Sequence, residues 1–314
     1  MARIDLNGFP IHFQSDGDGP DVVLLHGLCG DLAFWHPAIV ASLAKDHRVT
    51  RMDLRGHGYS GRPSSGYTTR DLAGDLAALL DSLGIARASL VGHSFGGAVA
   101  LHFAALHPER TESVVLADVR IRSLQPDQGM RDWAHWRAIQ DRLRAHGIEL
   151  KEDALDADFG VLDALARYRL AGSLEGLDLA PFFVPFAASS PRRARQWLLL
   201  AEETTARADF GDVAGLTPEA IARIESPALL IYGSLSHCLP TQERLAGLLR
   251  RSTVLVEQGV GHFLPLVRPQ AFLVRTRAFL SGLEQAAARP VAPGAPPIPS
   301  GLVPLVRSAV KVGA

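Results

Sequence analysis

Short continuous runs of apolar residues recur along the chain and alternate with segments whose apolar positions repeat every three or four residues. Residues 22–25 and 114–117 are runs of the first kind, which is typical of strands buried on both faces of a parallel sheet. The second kind is clearest between Thr68 and Gly84, where five leucines follow a helical period: Leu72, Leu76, Leu79, Leu80 and Leu83. Strands that alternate with amphipathic helices predict an α/β protein with a mostly parallel central sheet flanked by helices.

The N-terminal segment departs from this pattern. Apolar and polar residues alternate on both sides of Asn7-Gly8, a dipeptide typical of tight turns between antiparallel strands. We therefore expect a hairpin over residues 3–14, ahead of the parallel strands.

The strand pattern is interrupted between residues 121 and 215, where the apolar residues have helical spacing. One helical series contains Trp133 and Trp136, and an aromatic stretch bounded by prolines lies at residues 181–186. A helical segment inserted into an α/β protein predicts a cap, in which most aromatic side chains pack against the core and a few line a pocket. The chain is accordingly divided into a core (residues 1–120 and 216–285), a helical cap (121–215) and a proline-rich C-terminal tail (286–314).

Composition and charge exclude several classes of protein. The chain has 314 residues, is 47% hydrophobic and carries a formal net charge of -1, so it has no basic excess for nucleic acid or an anionic membrane. No apolar run approaches the roughly 20 residues that cross a bilayer, and no secretory signal is visible. The two cysteines, Cys29 and Cys238, form neither a disulfide framework nor a metal-ligand spacing. We expect a cytoplasmic protein without metal or cofactor that binds a small molecule; the oligomeric state stays open.

The most informative motif is Gly92-His93-Ser94-Phe95-Gly96, where an apolar run ends and a helix of small residues begins. It fits the nucleophile elbow Gly-x-Ser-x-Gly, in which a serine lies on a strained turn between a strand and a helix. Glycines flank the serine because side chains would collide there. The turn exposes the hydroxyl, and the N–H of Phe95 at the helix N-terminus is placed to bind a developing oxyanion.

A second glycine-rich turn follows the apolar run at residues 22–25. It reads His-Gly-Leu-Cys-Gly over residues 26–30. Such a turn at the carboxyl end of a buried parallel strand presents backbone N–H groups to a ligand. We interpret the Leu28 N–H as the second oxyanion donor; a plain strand-to-helix turn is the alternative.

The chain resembles the α/β-hydrolase superfamily over about residues 3–282. The matching motifs, in family order, are His26-Gly27, the loop from Asp53 to Ser60, the elbow from Gly92 to Gly97, the strand end at Gly233 and the pair Gly261-His262. The resemblance implies that Ser94 is the nucleophile and that His262 is the general base that accepts its proton. It also implies that the N–H groups of Phe95 and Leu28 form the oxyanion hole. A serine at the elbow argues against haloalkane dehalogenase or epoxide hydrolase chemistry, where relatives carry aspartate.

The family pattern fails at the acid of the catalytic triad. Most relatives have an aspartate three residues after the glycine at position 233, where this chain has Ser236, and that loop contains no carboxylate. Asp118, at the end of the strand that follows the elbow helix, is the predicted replacement, because some branches of the superfamily place the acid there. The alternatives are a serine–histidine dyad or water-assisted site, and an acid supplied by Glu257 or by the cap.

Other histidines and cysteines near these motifs are interpreted as non-catalytic. His57 lies in a glycine-punctuated loop and is taken as structural. His237 and Cys238 follow the vacated acid position and are interpreted as solvated loop residues rather than as catalytic residues or metal ligands. Cys29 is interpreted as a small packed side chain.

The sequence thus predicts a serine hydrolase that cleaves a carboxylic ester with an apolar acyl or aryl part through an acyl-enzyme on Ser94. A carbon–carbon bond hydrolase, a lactonase or a thioesterase would use the same residues. A non-catalytic ligand-binding descendant of the fold is the alternative from another class, favoured by the missing aspartate at Ser236. The residues expected to bind substrate lie in the glycine-rich turn, the elbow and the cap: His26, Gly27, His93, Trp133, Trp136, Phe182, Phe183 and Phe186.

Overall fold

The described part of the chain is built around one central β-sheet. The structure is a computed structural model that describes residues 2–126, 132–150, 159–179, 182, 186 and 190–288, with side chains to residue 283. Within these ranges the chain forms an eight-stranded sheet. Its strands are β1 (Ala2–Leu6), β2 (Phe9–Asp16), β3 (Asp21–Leu25), β4 (Arg48–Met52), β5 (Ala88–His93), β6 (Thr111–Ala117), β7 (Ala228–Gly233) and β8 (Ser252–Glu257).

The strand order across the sheet is β1-β2-β4-β3-β5-β6-β7-β8. The pairs from β4 to β8 are parallel, whereas β1 pairs with β2, and β2 with β4, in antiparallel register. The mostly parallel sheet is therefore confirmed. The N-terminal hairpin is also present, and its turn residues Asn7 and Gly8 both have positive φ angles, of 54° and 86°, as a tight hairpin turn requires.

Helices cover both faces of the sheet. They are α1 (Pro37–Leu43), α2 (Thr69–Ser82), α3 (Phe95–Leu106), α4 (Trp136–Ala145), α5 (Gly160–Leu170), α6 (Pro191–Glu203), α7 (Ala206–Phe210), α8 (Pro218–Ala222), α9 (Leu239–Leu248), α10 (Leu264–Val267) and α11 (Pro269–Ala288). Apolar residues of α2, α3, α8 and α9 join Val23 and Leu25 in one core cluster. Those of α1 and α11 join Val22 and Leu24 in the cluster on the opposite face. The continuous apolar run of β3 thus supplies both layers, because successive side chains of a strand point to opposite faces.

Helix boundaries follow local capping chemistry. Thr68 caps α2 in a reciprocal pair of hydrogen bonds with Asp71. Helix α1 begins at Pro37, because proline fits the first helical position and the ring of His36 accepts a hydrogen bond from the N–H of Ala38.

The helices α4 to α7, here called the helical segment, have their own core. It includes Trp136, Leu143, Trp197 and Phe210. The half-buried side chains of Leu28, Cys29 and Phe95 pack against it, so the helical segment lies over the carboxyl ends of β3 and β5. Within the described ranges, no helix is both long and apolar enough to cross a membrane.

Ion pairs and hydrogen bonds also fasten the helical segment to the sheet domain. Arg193 on α6 forms two hydrogen bonds to Asp31, of 2.8 and 2.6 Å, in the loop after β3. Arg192 and Gln196 both donate to the carbonyl oxygen of Gly58. The placement of α6 is therefore set by polar contacts at its N-terminal half as well as by apolar packing.

Candidate active site

Ser94 lies on the turn between β5 and α3. Its backbone angles, φ 52° and ψ -124°, are strained for a residue with a side chain. A Cβ atom at Gly96 would collide with the carbonyl oxygens of Leu25 and His26, and one at Gly92 would collide with the backbone of Gly97. Close backbone packing on both sides therefore requires the glycines and fixes the serine.

His262 reaches Ser94 from the loop after β8. Its Nε2 lies 3.0 Å from the Ser94 Oγ. His93 holds this loop, because its Nε2 donates a 2.9 Å hydrogen bond to the carbonyl oxygen of His262 and its ring stacks on Phe34. We expected His93 to bind substrate; it is 1% exposed and instead positions the loop that carries His262.

The contacts of His262 Nδ1 are longer than the contact between its Nε2 and Ser94. Cys238 Sγ lies 3.5 Å from this nitrogen. The carboxylate oxygen Oδ1 of Asp118 lies 4.0 Å away, which is too far for a hydrogen bond. Asp118 is fully buried; its Oδ2 accepts a 2.9 Å hydrogen bond from the N–H of Gly233, and its Oδ1 has no hydrogen-bond partner among the described residues. Asp118 thus presents an unpaired oxygen to the imidazole.

Burial governs the protonation of both groups. Burial lowers the pKa of His262 well below its usual value, and the neighbouring rings of His237 and His93 lower it further. Burial raises the pKa of Asp118, against smaller opposing effects of the Ser236 hydroxyl and the Gly233 N–H. The imidazole is therefore neutral near pH 7, which is the form that can accept a proton from Ser94.

Ser236 occupies the position where the family pattern has an aspartate. It is buried, and its hydroxyl accepts a hydrogen bond from the N–H of Cys238 at 3.0 Å. The loop after β7 therefore closes on itself, and the carboxylate of Asp118, after the neighbouring strand β6, lies 4.0 Å from His262 Nδ1.

Both predicted oxyanion turns lie beside Ser94. Phe95 is the first residue of α3, so the helix itself provides no acceptor for its N–H. A Cβ atom at Gly27 would come within 2.9 Å of the Ser94 Cβ, which shows how closely the turn containing Leu28 approaches the elbow. That the two N–H groups bind an oxyanion stays a prediction.

His26 is placed differently from our expectation. It is fully buried, its Nδ1 donates to the Gly27 carbonyl at 2.8 Å, and its Nε2 accepts from the Leu54 N–H at 3.1 Å. Both ring nitrogens of His26 are therefore hydrogen-bonded to backbone groups. His26 therefore joins two loops behind the site rather than meeting a substrate.

The aromatic residues expected to bind substrate divide into two groups. Trp133 donates to the carbonyl oxygen of Leu235 at 3.1 Å and contacts Phe182 edge-on, and Phe182 lies against Gly261, so both rings are next to the His262 loop. Trp136 and Phe186 are instead buried in the core of the helical segment, and their prediction as substrate contacts is not supported by this placement. Phe183 lies outside the described residues.

The sequence reasoning misjudged His237 and Cys238. Cys238 is fully buried, and the half-buried ring of His237 lies 4.7 Å from that of His262. They are packed against the predicted base rather than solvated, and burial lowers the pKa of His237 to about 4. The available signal was their position directly after Ser236, at the edge where the acid of a triad belongs. With His262 they form a group of three potential metal ligands within 4.8 Å.

Comparison with known proteins identifies the class. The family described as "alpha/beta hydrolase fold" matches residues 20–269. The chain therefore belongs to the α/β-hydrolase family, and the fold predicted from the motifs is confirmed.

The chain is also similar to individual proteins of known activity. The chain is 28% identical to 2-hydroxymuconate semialdehyde hydrolase of Pseudomonas sp. (strain CF600) over 89% of its own length and 93% of that protein. It is 30% identical to the dihydrolipoyllysine-residue acetyltransferase component of the acetoin cleaving system of Pseudomonas putida, over 85% of this chain but only 65% of that protein. The crystal structure of the enol-lactonase from Burkholderia xenovorans LB400 superposes with a TM-score of 0.63 at 26% identity, over 89% of this chain and 100% of that one.

Proposed function

We propose that this chain is a serine hydrolase that cleaves carboxylic esters with an apolar acyl or aryl part. The observation that carries the proposal is the 3.0 Å contact between the Nε2 of a half-buried, neutral His262 and the Oγ of Ser94. A serine hydroxyl is a poor nucleophile until a base accepts its proton, and this contact supplies the base.

The proposed reaction proceeds through two tetrahedral intermediates. Ser94 Oγ attacks the ester carbonyl while its proton moves to His262 Nε2. The developing oxyanion is bound by the N–H groups of Phe95 and Leu28, each of which is worth about 3–4 kcal/mol in sites of this kind. The imidazolium then gives its proton to the leaving alcohol, and water, deprotonated by the same imidazole, releases the acid from Ser94.

Asp118 is proposed as the acid that supports His262. Burial raises the pKa of Asp118, but once ionised its carboxylate, 4.0 Å from Nδ1, stabilises the imidazolium that forms in each step, and the same burial strengthens the interaction. A small movement of the His262 loop would turn the contact into a hydrogen bond that fixes the tautomer with the proton on Nδ1.

The helical segment is proposed as the cap that provides the substrate pocket. Trp133 and Phe182 lie beside the His262 loop, while Leu28 and Phe95 face the helical segment from the sheet side. These apolar surfaces favour an apolar acyl or aryl group over a charged one.

Hydrolysis of a carbon–carbon bond is the second candidate reaction. It is favoured by the similarity to 2-hydroxymuconate semialdehyde hydrolase, which extends over 93% of that protein. Ester and carbon–carbon hydrolysis would use the same Ser94 and His262, so the substrate decides between them. Comparing the kcat/KM for 2-hydroxymuconate semialdehyde with those for an enol lactone and simple aryl esters distinguishes the two.

The proposal is tested with a series of chromogenic esters of increasing acyl length and a phosphonate that labels activated serines. Ser94→Ala is expected to lose on the order of 10⁶-fold in kcat, as in other serine hydrolases, and to resist labelling. Ser82→Ala, which alters an exposed serine at the end of α2, is the matched control and should keep both properties. A wild-type rate equal to that of Ser94→Ala, together with no labelling, would favour a non-catalytic binding protein.

A further inference from the structure

We propose that His237, Cys238 and His262 form a binding site for a soft divalent cation such as Zn²⁺, and that a cation bound there switches off the general base. The ligating atoms of the three side chains lie within 4.8 Å of one another. Imidazole nitrogen and thiolate sulfur are ligands that Zn²⁺ prefers. The inhibitory part of this inference rests on the proposed function; the binding part does not.

The spacing of two ligands already matches a tetrahedral site. Zn–S and Zn–N bonds of about 2.3 and 2.0–2.1 Å place neighbouring ligand atoms roughly 3.6 Å apart. Cys238 Sγ and His262 Nδ1 are 3.5 Å apart. The third ligand is a ring nitrogen of His237, which lies within 4.8 Å of the other two ligand atoms; the ring is half-buried and centred 4.7 Å from that of His262.

Asp118 makes the surroundings favourable for a cation. Its Oδ1 lies 4.0 Å from His262 Nδ1, is buried and has no hydrogen-bond partner among the described residues. It can act as a fourth ligand or as a compensating charge. On binding, the S–H bond of Cys238 breaks, the sulfur–metal bond forms, and the proton leaves to solvent.

A cation at this site would block catalysis through the tautomer of His262. Coordination uses the lone pair of Nδ1, so a neutral imidazole must carry its proton on Nε2. Nε2 lies 3.0 Å from Ser94 Oγ and would then be a donor, unable to accept the serine proton. The cation would therefore inhibit without occupying the substrate pocket.

Binding is tested directly by titrating the protein with Cd²⁺ and recording the ultraviolet charge-transfer absorption of a cadmium–thiolate bond. The wild type should develop this absorption to saturation at one equivalent, and Cys238→Ser should not. Cys29→Ser is the matched control, because Cys29 is the other cysteine of the chain, and it should retain the absorption. Equal absorption in Cys238→Ser and wild type would overturn the proposal. This readout stands even if the protein hydrolyses no ester.

Inhibition is tested with Zn²⁺, with each variant normalised to its own metal-free rate. His237→Ala should raise the Zn²⁺ concentration for half-inhibition at least about 10-fold, since even outer-shell changes cost that much affinity. His146→Ala, which alters an exposed histidine, should not raise it, and a chelator should restore the wild-type rate. Because His237 is half-buried, this variant keeps the proposal falsifiable if Cys238→Ser does not fold. Inhibition of His237→Ala at the wild-type Zn²⁺ concentration would contradict the site.

Discussion

The two sides of the His262 ring are built differently. On the Nε2 side, Ser94 stands 3.0 Å away on a turn whose glycines are packed against backbone. On the Nδ1 side, a thiol lies at 3.5 Å and a carboxylate at 4.0 Å, and neither makes a close hydrogen bond. The nucleophile side is thus fixed by close packing, whereas the carboxylate on the acid side comes from the end of a neighbouring strand and makes no hydrogen bond to the ring.

This difference teaches where a hydrolase of this fold tolerates change. The elbow leaves no room for side chains at its glycines, so its sequence is dictated by sterics. The acid only has to place negative charge near Nδ1, and the parallel strands β6 and β7 end side by side at that edge. Asp118 after β6 can therefore replace a carboxylate that is absent from the Ser236 position after β7.

The largest effect is expected from removing the base itself. His262→Gln should lower kcat by on the order of 10⁶-fold, because the base and the nucleophile act as a unit. Steady-state hydrolysis of the best ester measures this. If His262→Gln instead retained more than a few per cent of the rate, another group would be activating Ser94. The Nε2 and Nδ1 sides of the His262 ring would then not be the two halves of the catalytic site.

A pair of glycine substitutions tests the rigidity of the nucleophile side. Gly96→Ala should destabilise the protein by about 1–3 kcal/mol or more and abolish activity, because the new methyl group meets the carbonyl oxygens of Leu25 and His26. Gly74→Ala, at an exposed position within α2 with no atom near the added carbon, should instead stabilise it by about 0.5–1 kcal/mol. Urea unfolding measures both free energies.

If Gly96→Ala kept the stability and activity of the wild type, the elbow would be able to relax. Close packing would then not be what fixes Ser94.

A smaller effect, the dependence of the unfolding free energy on pH, is expected from the buried side chain of His57. Burial, and the nearby His26 ring, lower the pKa of His57 from its ordinary 6.5 to about 4 in the folded state. Between these values the unfolded chain binds more protons than the folded chain, so stability falls as pH falls. From pH 7 to pH 5 this one group should cost about 2 kcal/mol.

His57→Gln should flatten the dependence of the unfolding free energy on pH over that interval. His146→Gln, at an exposed position, is the control and should leave the slope unchanged. The absolute stability of His57→Gln also reflects lost packing, so the slope is the deciding quantity; an unaltered slope would contradict the assigned pKa.

Most of the fold and half of the site were predictable from the sequence, for identifiable reasons. The apolar runs and the turn residues Asn7 and Gly8 set the sheet and its hairpin locally. The elbow motif predicted Ser94, and Gly261-His262 predicted the partner that the structure places beside it. The strands, the hairpin and the elbow depend on short-range sterics that a sequence displays, whereas His262 was predicted through the resemblance to the α/β-hydrolase superfamily.

The remaining features depend on long-range packing, which spacing along the chain does not reveal. His26 and His93 lie in motifs near the serine, yet the Nε2 of each ring bonds to a backbone group of a loop distant in sequence, at Leu54 and His262 respectively. The sequence predicts Cys238 to be a solvated loop residue, but its side chain is buried at the start of α9, with its Sγ 3.5 Å from His262 Nδ1. Trp136 and Trp133 belong to one helical series, but only Trp133 reaches the His262 loop.

The measurement that tests the account most directly is the kcat of Asp118→Asn, alone and combined with Ser236→Asp. The asparagine keeps the shape and can still accept the Gly233 N–H, so only the charge is removed. We predict a loss of about 10²- to 10⁴-fold, because a triad carboxylate is neutralised, and partial recovery when Ser236→Asp restores a carboxylate after β7. The acid limb of the wild-type pH–rate profile reports the ionisation of both Asp118 and His262, and in the single variant it should shift to lower pH, because His262 loses the negative charge that favours its protonated form. A near-wild-type rate for Asp118→Asn, with a gain from Ser236→Asp alone, would contradict the account and leave a serine–histidine dyad beside a vacant acid position.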